Sequence, residues 1–392
     1  MSAEKVADDN SKDEVAAHLG ETLDAILNFD SWRDGDDLGA TYDRLESQVH
    51  EAIRQQERVN TRLYGDVLPF IAARPGAPKG AGLYQVSLEQ LKWTHRNLLF
   101  NGATLAADGT VVAHDTLLMT VAQIGVCIVN YQGDTREFKR QLFQRDVRLV
   151  EPDPVAEMLA LLEERQSRAA LGYEEERDEL NRLIRRGLMA YAERGLLLET
   201  VGQRWAMGHG TPVPRELLTN SLQPMLARSM DLLQRLVLQH QKFIYVPSAP
   251  RERLVMTLGE ALGPLEFLII DTLYQQMAGW VDKAHYPITM SRKVRQFIDE
   301  VGPQVVRGVY RVSPHSPAQV FYAHVDHAQE AALIAMADSV LQEHRGFPML
   351  LALADTLCHT SFEPESFRTI VQQTYAKAGH PFRYQIERDT RK

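Results

Sequence analysis

The sequence predicts a mixed α/β domain with an N-terminal helical extension, and three observations lead there. Apolar residues recur at helical spacing before residue 73, and a Pro- and Gly-rich stretch then breaks the pattern. Beyond it, β-rich and helical runs interleave through the rest of the 392 residues without a strict βαβ rhythm. Taken in order, a polar leader (1–12, MSAEKVADDNSK) is expected to be disordered. Val15, Leu19, Leu23, Ile26 and Leu27, then Tyr42, Leu45, Val49 and Ile53, predict two or three helices over 13–72. ARPGAPKGAG (Ala73 to Gly82) neither propagates a helix nor pairs as a central strand, so 73–94 reads as a linker or extended crossover.

From residue 95 the remaining chain reads as one domain. β-rich runs around Leu105, Val111–Val112 and Ile124–Tyr131, separated by DG, HD and QGD turn signals, open a sheet. Helical spacing returns from Asp153 to about Leu198, where Glu164/Arg168 and Asp178/Arg182 stand four apart and support an exposed helix face, so a helical insertion is expected near 153–200. A strand at Arg204–Met207, a helix near Leu217–His240 and the short β-like run KFIYV follow. VVRGVYRV and Gln319–Val325 read as strands, and Ala328–Glu343 and Pro364–Lys377 as helices.

Composition excludes several classes. With 44% hydrophobic and 24% charged residues the chain can bury a sizeable core. Its net charge of -9 opposes condensation onto a polyanion, so any nucleic-acid function needs local positive charge or a partner. Two cysteines in apolar settings, Cys127 and Cys358, make neither a disulfide framework nor a CxxC zinc site, and fit a reducing cytoplasm. The leader lacks an apolar segment and no run nears the roughly 18 to 20 apolar residues that span a bilayer, so neither secretion nor membrane association is expected. GxxxxGK[ST], GxSxG and HExxH are absent.

Three clusters carry candidate chemistry. Asp108-Gly109-Thr110 follows the apolar run ATLAA, where a carboxylate at a strand end is well placed to ligate a divalent metal; Asp-Gly is equally a hairpin-turn dipeptide. His209-Gly210-Thr211 has the same form, and two such elements at two strand ends are consistent with ligands converging on one site. In GFPMLLALADTLCHTSFE, Asp355 and His359 share one face of a helix whose other face is apolar, and can reach one metal or each other, or Asp355 caps or pairs with a neighbouring helix. His324, Asp326 and His327 have ligand chemistry, but strand alternation splits their faces and places them at the surface.

In this order and setting the clusters resemble the NurA nuclease family, partner nucleases of HerA-type translocases. The resemblance rests on LAADGTVVAHDTLLMTVAQIGVCIVNYQG, on RWAMGHGTPVP after a long helix, on KFIYVPSAPRERLV, and on VFYAHVD followed by RGFPMLLALADTL and FEPESFRTIVQQTYAKAG; it covers roughly residues 95–392. It implies an RNase H-like mixed sheet flanked by helices and a Mn²⁺- or Mg²⁺-dependent DNA exo/endonuclease. It also implies a homodimer and docking to a hexameric HerA-type ATPase in DNA double-strand-break end resection and repair. Asp108 matches the family's first metal-binding Asp. Glu193, sixteen residues before His209, is best placed for the family's helix Glu, with Glu199 the alternative, and Tyr322 matches an aromatic position on a late strand. Two positions depart from the family: His209 stands where an Asp is usual, and Asp355 where a His is usual. Asp108, Glu193, His209 and Asp355 still make three carboxylates and an imidazole, a set suited to Mn²⁺. The alternative is a catalytically degenerate scaffold that regulates the ATPase or threads DNA without cutting it. Under the nuclease reading, acid such as Glu174–Glu179 lies on outer helices, and Lys139, Arg140, Arg311 and the Arg383–Lys392 tail are candidates for a basic channel.

Overall fold

The computed structural model describes residues 22–31, 38–116, 118–146, 169–218, 223–250, 252–283, 286–384 and 387. The expected leader (1–12), residues 153–168 of the expected insertion and most of the basic tail lie outside them. The chain forms two units, Met1–Thr61 and Arg62–Lys392. In the first, α1 (Leu23–Leu27) is capped by Thr22, whose hydroxyl accepts from the Ala25 N–H at 3.3 Å. It is followed by α2 (Leu38–Arg62), along which Tyr42, Leu45, Val49 and Ile53 form an exposed stripe.

A nine-stranded mixed sheet organises the second unit. Its strands are β1 (Gly82–Gln85), β2 (Thr104–Asp115), β3 (Met119–Val129), β4 (Arg136–Asp146), β5 (Trp205–His209), β6 (Phe243–Val246), β7 (Glu266–Thr272), β8 (Val305–Arg311) and β9 (Gln319–His324). They lie in the order β1-β7-β8-β9-β6-β5-β2-β3-β4. β2, β3 and β4 form an antiparallel meander, β5 adds parallel to β2, and β6 adds parallel to β5. β9, β8, β7 and β1 continue antiparallel to the far edge. The helices are α3 (Leu68–Ala73), α4 (Leu88–Thr94), α5 (Ala169–Val201), α6 (Gln223–Gln234), α7 (Arg253–Glu260), α8 (Tyr274–Lys283), α9 (Ile288–Val301), α10 (Ala328–Val340), α11 (Met349–Ser361) and α12 (Pro364–Lys377). The described helices include none long and apolar enough to cross a membrane.

Helices cover both faces of the sheet, and the alternation of side chains along β2 shows how. Leu105 and Ala107 join the core shared with Ala190, Leu197 and Val201 of α5, whereas Ala106 joins the core shared with α10 and with Leu350, Leu351 and Ala354 of α11. β3 is accordingly buried without interruption from Ala122 to Val129, the pattern of a strand covered on both sides. β4 lies at an edge, and its charged run REFKRQLFQRD is what an edge strand carries.

Several expectations are corrected. Residues 73–94 are not a bare crossover: β1 pairs with β7, and α4 opens with a Ser87/Gln90 capping box. The Pro and Gly residues ahead of β1 set turns with positive φ at Gly76 and Gly80, leaving Gly82–Gln85 free to pair. Asp108-Gly109 is neither a turn nor a strand end, because β2 runs on in register with β3 to Asp115. His324 is buried rather than at the surface, since β9 is an interior strand, and its Nδ1 accepts from the Asp326 N–H at 3.2 Å. β1, β4 and β7 were not anticipated: β1 is only four residues long, β4 is charged, and β7 is a short apolar run between helices, which periodicity alone does not distinguish from a buried helix segment.

The orientation of α11 depends on one buried acid. Asp338 of α10 accepts from the Leu350 N–H at 2.8 Å, in the first turn of α11, and from the Tyr131 hydroxyl at 2.5 Å. A carboxyl there satisfies an orphan helix-start donor and complements the helix dipole. Burial nevertheless pushes its pKa up from 3.8 to about 7, against the lowering effect of both hydrogen bonds. Between those values the folded chain holds a proton that the unfolded chain has released, so stability falls as pH rises from about 4 to about 7. Asp338→Asn removes this decline. Urea unfolding across pH 4 to 8 should show wild type losing on the order of a few kcal/mol relative to the variant; a difference that does not change with pH contradicts the assignment.

Candidate active site

The parallel pairing of β2 and β5 ends at Ala107 opposite Gly208. One residue further, Asp108 and His209 stand side by side, but β5 stops there and its chain turns away at Gly210, with φ 83°. β2 continues, held by β3 alone. The departure of β5 leaves a cavity of about 540 Å³, lined by Asp108, Gly109, Glu193, His209 and Asp355 and by Arg186, Arg194, Ser248, Arg345 and Phe347, among others.

Strand alternation sends the acids into this cavity from different directions. Asp108 follows Ala106 onto the α11 face, where Asp355 waits, and the two carboxyls share a hydrogen bond. Gly109 follows Ala107 onto the α5 face, and there Glu193 presses against it: a Cβ at position 109 would lie 2.6 Å from Glu193 Oε1 and 2.9 Å from Met189 Cγ. Without a side chain at 109, Glu193 reaches across the β2 backbone and feels Asp108 on the opposite face. Gly208 has the equivalent role in β5, where a Cβ would meet the Tyr245 ring at 2.3 Å.

Electrostatics follow from this crowding. Burial pushes Asp108 up to about 8, reinforced by the charges of Glu193 and Asp355 and by the hydrogen bond with Asp355, and opposed by the Gly109 N–H. Burial raises Glu193 as well, against Arg194, whose Nη1 lies 3.3 Å from Glu193 Oε2, and against the Gly109 N–H. Arg194 is almost wholly enclosed. It donates to the carbonyls of Ala190, Thr211 and Pro212 and stacks its guanidinium 5.0 Å from the Tyr245 ring centre. It therefore ties the loop after β5 to α5. Breaking such a buried pair by removing one partner costs about 3–5 kcal/mol. His209 is lowered by burial and by Arg194, while Asp355 opposes the shift, so its ring is neutral near pH 7. Its Nε2 accepts from the Ser248 N–H at 3.2 Å and pairs with Ser248 Oγ at 2.7 Å, which leaves Nδ1 uncommitted among the described groups.

Of the residues singled out in the sequence, Asp108, Glu193, His209 and Asp355 line this one cavity. Glu199 is exposed on α5 and does not line it, and neither does His359, one turn beyond Asp355. Tyr322 also stands apart: it is buried in the core, and its hydroxyl donates at 3.1 Å to Oε1 of Glu252, the residue before α7. Arg186, Arg194, Ser248 and Arg345 were missed, because each is set by tertiary placement rather than by any local pattern. The proposed basic channel loses two members: Arg311 is consumed by the carbonyls of Glu260, Leu262, Ser313 and Pro314, and Lys139 pairs with Glu137 at 3.1 Å.

The donor set suits a hard divalent cation, since burial beside Glu193 and Asp355 holds Asp108 well above the usual carboxylate range, a cost that a bound cation would offset. Among the described residues, no three His, Cys, Asp or Glu side chains already stand in a ligating arrangement.

No protein-family model matches the chain, and no curated protein does. Among solved structures it is similar to the NurA nuclease from Sulfolobus solfataricus, at 10% identity over 86% of this chain and 98% of that one, with a TM-score of 0.45. It is similar also to NurA bound to dAMP and manganese, at 9% identity over 80% and 92% with a TM-score of 0.38. NurA with manganese gives 9% over 74% and 96%, with a TM-score of 0.36. These values describe the course of the backbone; the residue roles rest on the geometry above.

Two glycines of the site region separate packing from propensity. Gly109→Ala should cost about 1–3 kcal/mol in urea unfolding through overpacking against Glu193 and Met189. Gly195→Ala, on α5 with nothing within 4 Å of its Cβ, should be neutral or gain up to about 1 kcal/mol. Equal effects at the two positions would contradict the close approach of α5 to β2.

Proposed function

We propose that the chain is a divalent-metal-dependent nuclease acting on DNA. The observation that carries this reading is the meeting of Asp108, Asp355 and Glu193 in one cavity that also holds arginine side chains. Negative groups at this density serve a cation, and arginines beside them serve the phosphate that the cation binds. The sheet supports it: β4-β3-β2-β5-β6 is an antiparallel meander followed by two strands added parallel to its first, the arrangement of an RNase H-like core, with Asp108 on the first strand.

Asp108 and Asp355 would hold the ion, Mn²⁺ or Mg²⁺, with Glu193 and His209 Nδ1 next to them. Bound there, it supplies Lewis acidity toward a phosphate oxygen and a more acidic water. The chain's own groups supply position. Arg194 and the Gly109 N–H hold Glu193 as a fixed proton acceptor, Ser248 orients the His209 ring, and Phe347, its ring 6.3 Å from that of His209, walls the cavity on the α11 side. The place of such an enzyme beside a HerA-type hexameric ATPase, as a homodimer in cytoplasmic DNA end processing, belongs to the same proposal. It rests on the sequence resemblance alone.

The competing reading, a scaffold that does not cut, is favoured by the lack of a ready-made ligand triad among the described residues. One assay separates the two. With Mn²⁺ or Mg²⁺, the purified chain should degrade single- or double-stranded DNA. Asp108→Asn and Asp355→Asn should each lower turnover by on the order of 100-fold, about 3 kcal/mol of barrier. Wild type that cuts neither substrate, or variants that cut as fast as wild type, would overturn the nuclease reading.

A further inference from the structure

Three arginines line the cavity, and they are not equivalent. Arg194 has its donors committed to Glu193 and to backbone carbonyls. Arg186 and Arg345 are exposed, and among the described residues neither forms an ion pair, although Asp108, Glu193 and Asp355 line the same cavity. Arg345 donates from Nη1 to the neutral Gln342 Oε1 at 2.9 Å, which steadies the guanidinium without neutralising it.

Their backbones are fixed on two different elements. Arg186 lies on α5 about two turns, seven residues, before Glu193, and Met189 and Ala190 complete that cavity-facing stripe. Seven residues of helix place its Cα about 10 Å along the axis from that of Glu193. Arg345 sits in the turn that leads into α11. Its carbonyl accepts from Gln319 Nε2 of β9 at 3.2 Å, and Gly346 follows at φ 60°, where a Cβ would come within 3.0 Å of Pro317 O. A guanidinium is always charged and matches phosphate oxygens with paired N–H donors. Two of them on separate elements, without an ion pair among the described residues and lining one cavity with Asp108, Glu193 and Asp355, present positive charge to a ligand that is itself anionic.

We propose that Arg186 and Arg345 are the substrate-positioning residues of this site, each binding a backbone phosphate of the nucleic-acid strand whose scissile bond lies over Asp108 and Asp355. The assignment rests on the nuclease reading above and names the groups that let a chain of net charge -9 hold a polyanion. Phosphate contacts of this kind position a strand without reading its sequence.

The test is binding without turnover. The full chain in EDTA is titrated against a fluorescein-labelled single-stranded 20-nucleotide oligomer, and anisotropy is followed from low to moderate salt. Arg186→Gln and Arg345→Gln should each weaken binding about 5- to 30-fold and lower the slope of log affinity against log salt by about 0.7, the value for one phosphate contact on a single strand. Both losses should combine in the double variant, and Arg→Lys should restore the slope but only part of the affinity. Lys92→Gln, on exposed α4, controls for net charge and should change affinity less than twofold. Unaltered affinity and slope in the double variant overturn the proposal, as does wild type that does not bind the oligomer at all. The nuclease reading is decided separately by the cleavage assay, so the two can fail independently.

Discussion

A carboxyl placed against two other carboxyls in a partly desolvated site is unfavourable on every count: burial disfavours its charge, and each neighbour disfavours it further. Asp108 sits in that position, between Asp355 on one face of the sheet and Glu193 reaching over from the other, and its pKa rises to about 8 in consequence. Much of the surrounding structure holds this arrangement in place. Asp338 fixes the start of α11 and so presents Asp355; Arg194 offsets Glu193 and anchors the loop after β5; Gly109 removes the one side chain that would keep Glu193 away. An assembly of this kind is retained against its cost when a cation or a charged substrate completes it.

The same constraint explains which parts of the site were legible in the sequence. Asp108 and His209 are visible as two X-G-T elements, because adjacent parallel strands that end together bring their terminal residues together. The detail differs: only β5 ends, and Asp108 lies mid-strand, so Asp-Gly signals a close helix approach instead of a turn. Asp355 is visible, with His359, on one face of a helix whose other face is apolar. Glu193 has no local signature, being one of several acids on a long charged helix, and entered only through family resemblance. Tyr322 entered the same way and lies elsewhere, bonded to Glu252, because strand alternation turns it into the core beside α7. Most apolar interior strands of the sheet were legible, β7 excepted, whereas the edge strands β1, only four residues long, and β4, which carries charge, were not.

The net charge of -9 takes a definite meaning from the cavity. Arg311 and Lys139, which look available in sequence, are already bonded. Among the described residues, the arginines of the site without an ion pair are Arg186 and Arg345, beside the acids. Under the proposed function a polyanion would be engaged at a few points, so its affinity would rest on those points and its salt dependence would be that of a few phosphate contacts.

The central claim is that Asp108 and Asp355 are held together for a cation. Calorimetric titration of Mn²⁺ into the metal-free full chain, compared with the Asp108→Asn/Asp355→Asn double variant, tests it most directly. Saturable binding of one or two ions to wild type, lost in the double variant while its melting temperature is kept, is the result this account predicts. Mn²⁺ binding of equal stoichiometry and affinity in both proteins, or none in wild type, would contradict it.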